Sequence, residues 1–169
     1  RGELAMEDYM AFSLEPLIGR TPEEVAHLVE PWGEDYIEPI IFSDATKTIA
    51  AHRKAGDRIL VISASGTHLV KPIAERLGID EVLGIELEVA HGFYTGNTVG
   101  TLTYREGKIT RLLEWLDEQE ENLEGASFYS DSRNDLPLLL KVDHPHVVNP
   151  DPVLREQAEK AGWPIHHWK

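Results

Sequence analysis

A short run of residues that ends in two aspartates constrains this chain most. Residues 126–129 predict a buried strand, and Asp131 and Asp135 follow it four residues apart. Residues 136–140 are mostly leucine and predict a helix. Carboxylates between the end of a parallel strand and the start of a helix lie where α/β folds bind ligands, and they suit Mg²⁺. The alternative is an Asp-rich turn that only caps the helix, since Ser-Asp-Ser is common in turns.

The composition limits the size and the partners of the protein. A chain of 169 residues fits one core domain with a small appendage. It has no cysteine, so neither a disulfide nor a thiolate nucleophile is available. The net charge of −14 argues against a nucleic-acid partner. No long apolar run or signal-peptide pattern occurs, which argues against a membrane partner and predicts a cytoplasmic protein. The oligomeric state stays unknown.

Helical and extended patterns alternate after residue 41. The predicted strands are 58–62, 82–85, 126–129, 146–148 and 163–168, and the predicted helices are 43–53, 66–77, 109–119 and 152–161. This alternation predicts an α/β fold, with a parallel sheet and helices on both faces. Residues 86–102 alternate in polarity and contain three glycines, which predicts a β-hairpin flap. The segment before residue 41 predicts a separate small helical cap.

Capping residues mark the start of two predicted helices. Thr21 is followed by Pro22 and two glutamates, which predicts an N-cap, a proline at the first helical position and early carboxylates. Ser43 and Asp44 are expected to cap the helix at 43–53.

Two further segments carry residues suited to binding an anion. Ser63 and Ala64 follow the strand at 58–62 and precede a helix, so the Ser63 hydroxyl and nearby backbone N–H groups could face an anion. Lys108 lies at the start of the helix at 109–119, where a cation opposes the helix dipole and needs either an anion or solvent. Taken alone, each has an ordinary alternative, a capped helix start for Ser63 and solvent exposure for Lys108.

In their order along the chain, these segments resemble the second, third and fourth motifs of the haloacid dehalogenase superfamily of phosphatases. A strand-end Ser63 comes first, Lys108 follows, and Asp131 comes 23 residues after Lys108. The run at 73–79 is also similar to the phosphoserine-phosphatase-like branch. The resemblance covers nearly the whole chain and implies a Rossmann-like hydrolase core at residues 41–169 with a partial helical cap at residues 1–40.

The resemblance implies a phosphoric monoester hydrolase that acts on a small phosphorylated metabolite. In this family Ser63 would bind a phosphoryl oxygen, together with the backbone at Ala64. Lys108 would neutralise the phosphate and the attacking carboxylate. Asn134 would support the loop or contact the phosphate through its amide.

The two aspartates are implied to serve Mg²⁺. Asp131 would coordinate the ion directly, while Asp135 would hold a metal-bound water or orient Lys108. Phosphoryl transfer depends mainly on positioning and charge neutralisation, which this set of residues can supply. With Ser63 and Lys108, the two aspartates form the predicted catalytic set.

The family's nucleophile motif, Asp-x-Asp, has no counterpart in the sequence. The nearest match, residues 42–46, holds only Asp44. Because the family places this motif on a central first strand, we expect a core that lacks this strand and is inactive alone. The strands at 58–62 and 126–129 should then lie roughly 9–10 Å apart, with a gap between them. The alternative is a non-catalytic phosphate-binding module that lost its nucleophile.

The substrate is predicted only as a class. Phosphoserine is the first hypothesis, and histidinol phosphate or another amino-alcohol phosphate is the second. The segment Ser63-Ala64-Ser65 stands where phosphoserine phosphatases carry Ser-Gly-Gly. Glycines let a backbone approach its ligand closely, so this difference weakens the phosphoserine hypothesis.

Overall fold

A computed structural model describes residues 6–169, so the first five residues of the predicted cap lie outside the described part. The helices are α1 (Met6–Leu14), α2 (Pro22–Trp32), α3 (Ser43–Lys54), α4 (Thr67–Arg76), α5 (Glu106–Gln119), α6 (Leu136–Leu139) and α7 (Pro152–Ala161). The strands are β1 (Leu60–Gly66), β2 (Glu81–Ala90), β3 (Phe93–Val99), β4 (Ser127–Ser130), β5 (His144–Val148) and β6 (Ile165–His166). None of the helices in residues 6–169 is long and apolar enough to cross a membrane.

The described strands form two three-stranded sheets. In the first, β1 pairs in parallel with β2, and β2 pairs antiparallel with β3 as the predicted hairpin. In the second, β4, β5 and β6 are all parallel. The α/β prediction is therefore confirmed. The terminal strand is shorter than predicted, because only Ile165 and His166 pair with β5.

The two sheets are not paired with each other within residues 6–169, and the predicted spacing of 9–10 Å between β1 and β4 stays a prediction. Within the described residues, β1 pairs only with β2 and β4 only with β5, so each leaves one edge free. A cavity of about 190 Å³ is lined by residues from both strands and from α5. Its lining is mainly apolar and includes Leu60, Ile62, Leu112, Trp115 and Phe128. Two unpaired strand edges beside an apolar cavity leave backbone groups without partners, which is costly in a closed core.

Helix α5 packs against both three-stranded sheets on one of their faces. Leu112 and Leu116 pack with Leu83 of β2 and Leu138 of α6, and Phe128 of β4 packs against the same cluster. The next residue, Tyr129, points to the opposite face because side chains alternate along a strand. Its hydroxyl lies 2.8 Å from Nε2 of His52 in α3. Helices therefore lie on both faces, as predicted.

The two predicted helix caps have different outcomes. Thr21 forms a capping box with Glu24, as the sequence indicated, with both hydrogen bonds at 3.1 Å. The prediction for α3 was wrong, because Phe42 is the N-cap and no side chain caps the helix. The Ser43 hydroxyl instead donates to the Lys169 carbonyl, and Asp44 accepts from the Lys169 amide. These contacts tie the last residue of the chain to the start of α3, which local sequence could not reveal.

Candidate active site

A buried ion pair between Lys108 and Asp135 forms the centre of the site. The Lys108 ammonium lies 2.7 Å from Asp135 Oδ1, and both side chains are about one-tenth exposed. Lys108 is the third residue of α5, and Asp135 ends the short 3₁₀ turn Arg133–Asp135 after β4. Of the two alternatives left open for Lys108, the structure shows a local anion, Asp135, and excludes solvent exposure. A buried cation held by one carboxylate can neutralise a bound anion nearby.

Ser130 completes the hydrogen bonding of Asp135. Its hydroxyl donates to Asp135 Oδ2 at 2.6 Å and accepts from the backbone N–H of Ser132 at 3.1 Å. Both carboxylate oxygens of Asp135 are thus occupied, one by Lys108 and one by Ser130. This geometry fits the role of orienting Lys108 better than direct metal ligation.

Asp131 directly follows the carboxyl end of β4 and is exposed. Its carbonyl accepts from the backbone N–H of Asp151 at 3.3 Å, and the Asp151 carboxylate accepts from the N–H of Arg133 at 2.9 Å. Asp151 is also the N-cap of α7, accepting from the N–H of Leu154 at 2.7 Å. Burial alone would raise the pKa of Asp151, but the backbone donors outweigh it and hold that pKa below its usual range. One carboxylate therefore fastens the Asp131 loop to α7.

Ser63 is held through its backbone rather than its hydroxyl. The sequence analysis placed Ser63 and Ala64 after the strand, but both lie within β1 (Leu60–Gly66), because the strand continues beyond residue 62. The fully buried Thr103 donates its hydroxyl to the Ser63 carbonyl, which links β1 to the segment before α5. The Ser63 hydroxyl accepts from the backbone N–H of Ser65 at 3.1 Å and keeps its proton for another acceptor. Ala64 lies between them, partly buried. Thr103 thus ties Ser63 to the segment that leads into α5, the helix that carries Lys108.

His68 is the other polar residue close to the end of β1. Its ring lies against Gly66, where an added Cβ would come within 2.5 Å of His68 Nδ1. That nitrogen is buried and has no hydrogen-bond partner among the described residues. Burial lowers the pKa of His68, so the ring stays neutral at neutral pH.

The donor set at the β4 end fits a magnesium ion that keeps water or phosphate ligands. Within residues 6–169, no group of three His, Cys, Asp or Glu side chains lies together as a metal cage. Mg²⁺ commonly uses one or two carboxylates and completes its octahedron with water and substrate oxygens. Asp131, exposed at the strand end, can supply such a carboxylate.

Three supporting residues were missed by the sequence analysis. Thr103 and Ser130 act through single hydrogen bonds to Ser63 and Asp135, and nothing in their local sequence marks them. The third is Arg105, whose Nε donates to Asn134 Oδ1 at 3.3 Å and which lies three residues before Lys108. The cavity between β1 and β4 is not lined by the predicted site residues.

Comparison with protein families decides the membership of the chain. Residues 1–140 match the model of the haloacid dehalogenase-like hydrolases. The chain belongs to this family. The resemblance drawn from Ser63, Lys108 and the Asp131 segment is thereby confirmed at the family level.

Several relatives of the chain are named as phosphatases. A histidinol-phosphatase of Neisseria meningitidis is 40% identical over 172 residues, covering 99% of this chain and 78% of that protein. A phosphoserine phosphatase of Mycobacterium tuberculosis is 32% identical over 151 residues, covering 89% of this chain. The chain spans about half the length of that relative and of several others that it matches. The predicted enzyme class, a phosphoric monoester hydrolase, is confirmed.

Solved structures share the fold. A Bordetella pertussis protein of unknown function superposes with a TM-score of 0.93 at 36% identity, over 99% of this chain and 76% of that one. A phosphoserine phosphatase solved as a phospho-aspartyl intermediate analogue superposes with a TM-score of 0.66 at 23% identity, over 98% of this chain and 73% of that one. At that identity the second likeness supports the fold alone.

Proposed function

We propose that this chain contributes the phosphate-binding half of a Mg²⁺-dependent phosphomonoesterase acting on histidinol phosphate or a similar amino-alcohol phosphate. The buried Lys108–Asp135 pair carries the proposal, because it holds a desolvated ammonium in a fixed position beside the loop that follows β4, where it can neutralise a phosphoryl group. The 40% identity to a histidinol-phosphatase supports this substrate over phosphoserine. The Ser63-Ala64-Ser65 segment, which lacks the paired glycines of phosphoserine phosphatases, points the same way.

Each residue then has one role. Ser63 donates its hydroxyl proton to a phosphoryl oxygen, and the backbone N–H groups after it add further donors. Lys108 neutralises charge on the phosphoryl group while Asp135 keeps its ammonium in place. Asp131 would hold Mg²⁺, which would supply charge neutralisation for phosphoryl transfer.

Phosphoserine remains the second candidate substrate. The M. tuberculosis phosphoserine phosphatase is 32% identical over most of this chain. Both compounds are small phosphomonoesters with an amino group, so the residues that bind the phosphate can be the same. The choice between them depends on residues that read the leaving alcohol.

We further propose that a parallel strand outside the described residues fills the gap between β1 and β4 and carries the aspartate nucleophile. The free edges of β1 and β4 and the apolar cavity between them support this placement. Asp44, the nearest match to the missing motif, accepts from the Lys169 amide at 2.8 Å. That contact gives one carboxylate oxygen of Asp44 a structural partner.

Phosphate release by the intact protein tests the function. Histidinol phosphate should be hydrolysed with a higher kcat/KM than phosphoserine, and EDTA should abolish both activities. Asp131→Asn should lower kcat by several orders of magnitude, because it weakens metal binding. The exposed Asp117→Asn in α5 serves as the control and should leave the rate unchanged. Full activity in EDTA would remove the metal from the mechanism.

Chemical trapping tests the position of the nucleophile. Borohydride reduction of the intact protein during turnover converts an aspartyl-phosphate into homoserine, which mass spectrometry can locate. We expect the modified residue outside residues 6–169. Modification at Asp44 would identify Asp44 in α3 as the nucleophile. The absence of any modified residue in an active enzyme would exclude the aspartyl-phosphate route.

A further inference from the structure

The turn before α5 holds an arginine in a backbone conformation that favours glycine. The backbone N–H of Gly107 donates to the Tyr104 carbonyl at 2.9 Å, which closes a four-residue turn. Its second residue, Arg105, has φ 52° and ψ −122°, the values of the first central position in a type II′ turn. Glycine normally occupies that position because a side chain is strained there. Residues with strained backbones cluster at functional sites, so an arginine at this position suggests a functional role for its side chain.

The side chain of Arg105 points toward the loop that carries the aspartates. Its Nε donates to Asn134 Oδ1 at 3.3 Å, and its guanidinium lies 4.9 Å from the centre of the Tyr104 ring. The backbone N–H of Asn134 is fixed in turn by the Ser132 hydroxyl at 3.1 Å. Arg105 thus joins the turn before Lys108 to the turn that ends at Asp135.

The chemistry of the contact sets the orientation of the Asn134 amide. A guanidinium has only donors, so the amide must present its oxygen to Arg105. The two N–H donors of Asn134 then point away from Arg105 and need another acceptor. In the proposed active site, that acceptor is a phosphoryl oxygen.

We propose that Arg105 is a positioning residue that turns the amide of Asn134 so that its N–H₂ group donates to the substrate phosphate. The inference rests on the proposed phosphatase function. It explains why the strained turn keeps an arginine directly before the helix that supplies Lys108. It also extends the site beyond the residues that the sequence pattern marked.

Removal of the side chain without added strain tests this role. Arg105→Gly suits the turn conformation, so we expect unchanged or higher thermal stability. The dissociation constant of inorganic phosphate should rise roughly tenfold or more, and kcat/KM should fall by a similar factor. Arg105→Lys keeps a hydrogen-bond donor, so its phosphate affinity and kcat/KM should lie between those of the wild type and of Arg105→Gly. The matched control is His91→Gly, since His91 is exposed in the hairpin turn with φ 55° and should change neither quantity.

The double variant shows whether Arg105 acts through Asn134. In an Asn134→Ala background, Arg105→Gly should cause no further loss of phosphate affinity or kcat/KM, because the group that Arg105 orients is absent. Additive losses would mean that Arg105 binds the ligand itself, and full affinity in Arg105→Gly would mean that it has no role. Either result overturns the inference while an active wild-type enzyme preserves the proposed function. An intact protein that releases no phosphate from these esters would refute the function itself.

Discussion

At the scale of single residues, Lys108 has the most consequential environment. Its ammonium is buried against Asp135, whereas the exposed pair between Lys160 and Glu156 spans 3.9 Å at the surface. Charges removed from water are costly when their partner is lost, but exposed pairs contribute little. The site therefore depends on both members of the buried pair being present.

Lys108→Met should destabilise the fold by about 3–5 kcal/mol, because it leaves the Asp135 carboxylate buried without its cation. Lys108→Met/Asp135→Asn should recover part of this loss, since the buried charge is gone while Ser130 keeps a partner. Urea unfolding measures both. Lys160→Met is the control and should leave the midpoint nearly unchanged. A double variant no more stable than Lys108→Met would contradict the pairing.

Ser63 offers a prediction about activity rather than stability. Ser63→Ala removes one hydrogen bond to a charged oxygen, worth about 1.5–3 kcal/mol, so kcat/KM should fall about ten- to a hundredfold. Thermal unfolding should hardly change, because Thr103 bonds to the Ser63 carbonyl, and the bond that the hydroxyl accepts comes from the backbone N–H of exposed Ser65, where water can replace it. Ser127→Ala, an exposed position at the start of β4, is the control. An unchanged rate for Ser63→Ala would remove Ser63 from the site.

At the scale of elements, the start of α7 secures the Asp131 loop. Asp151→Ala should destabilise the protein by about 1 kcal/mol at neutral pH, since it removes the N-cap and the acceptor for Arg133. The pKa of Asp151 is lowered in the folded state, so its contribution is complete above the unfolded value of about 3.9. It should disappear as the pH falls below the folded pKa. Chemical denaturation across this range should show that the free energies of unfolding of the wild type and of Asp151→Ala converge in acid. A constant difference between them would contradict the lowered pKa of Asp151.

The turn before α5 leaves no room for a side chain at Gly107. A Cβ there would lie 1.9 Å from the Leu102 carbonyl oxygen, so Gly107→Ala must displace backbone. We expect a clear loss of thermal stability together with loss of phosphate binding. Gly92→Ala is the comparison, because Gly92 has φ 85° and open space around it, so alanine there meets backbone strain but no steric contact. A loss in Gly107→Ala no larger than a few tenths of that in Gly92→Ala would show that the contact with Leu102 is unimportant.

At the scale of the whole molecule, a cluster of aromatic and histidine side chains joins the second sheet to α3. The Tyr129 ring stacks on His146 with centres 4.4 Å apart, and His146 Nδ1 lies 2.9 Å from His166 Nε2. Burial, and then the neighbouring histidines, lower the pKa of His146. The titratable groups around it are His52, Asp57, Tyr129, His144 and His166.

The cluster predicts an acid-sensitive fold. Because the folded pKa of His146 lies below its unfolded value of about 6.5, protons bind the unfolded chain first as the pH falls. Stability should therefore be full above about pH 6.5 and decline below it. His146→Phe should keep the stacking and flatten part of this decline, the rest coming from His68, whose pKa is also lowered by burial. The exposed His27→Gln should leave the decline unchanged. Urea midpoints between pH 7.5 and 5 measure the difference, and an unaltered slope in His146→Phe would assign the decline to other groups.

Local patterns were sufficient for much of the fold and for the family. Alternating strands and helices, the glycine-rich hairpin and the Thr21 cap depend on residues near each other in sequence, so the chain displays them directly. The spacing of Ser63, Lys108 and Asp131 was enough to indicate a phosphatase family, because ordered motifs keep their positions along the chain.

Contacts between distant segments required the tertiary structure. Three contacts of the site join segments far apart in sequence. They are the ion pair between Lys108 and Asp135, the hydrogen bond from Thr103 to Ser63 and the hydrogen bond from Arg105 to Asn134. The sequence determined which side chains could bind phosphate and metal. Only the tertiary structure decided which of them are desolvated and which partners hold them, because burial and charge pairing are properties of the packed chain and not of any segment.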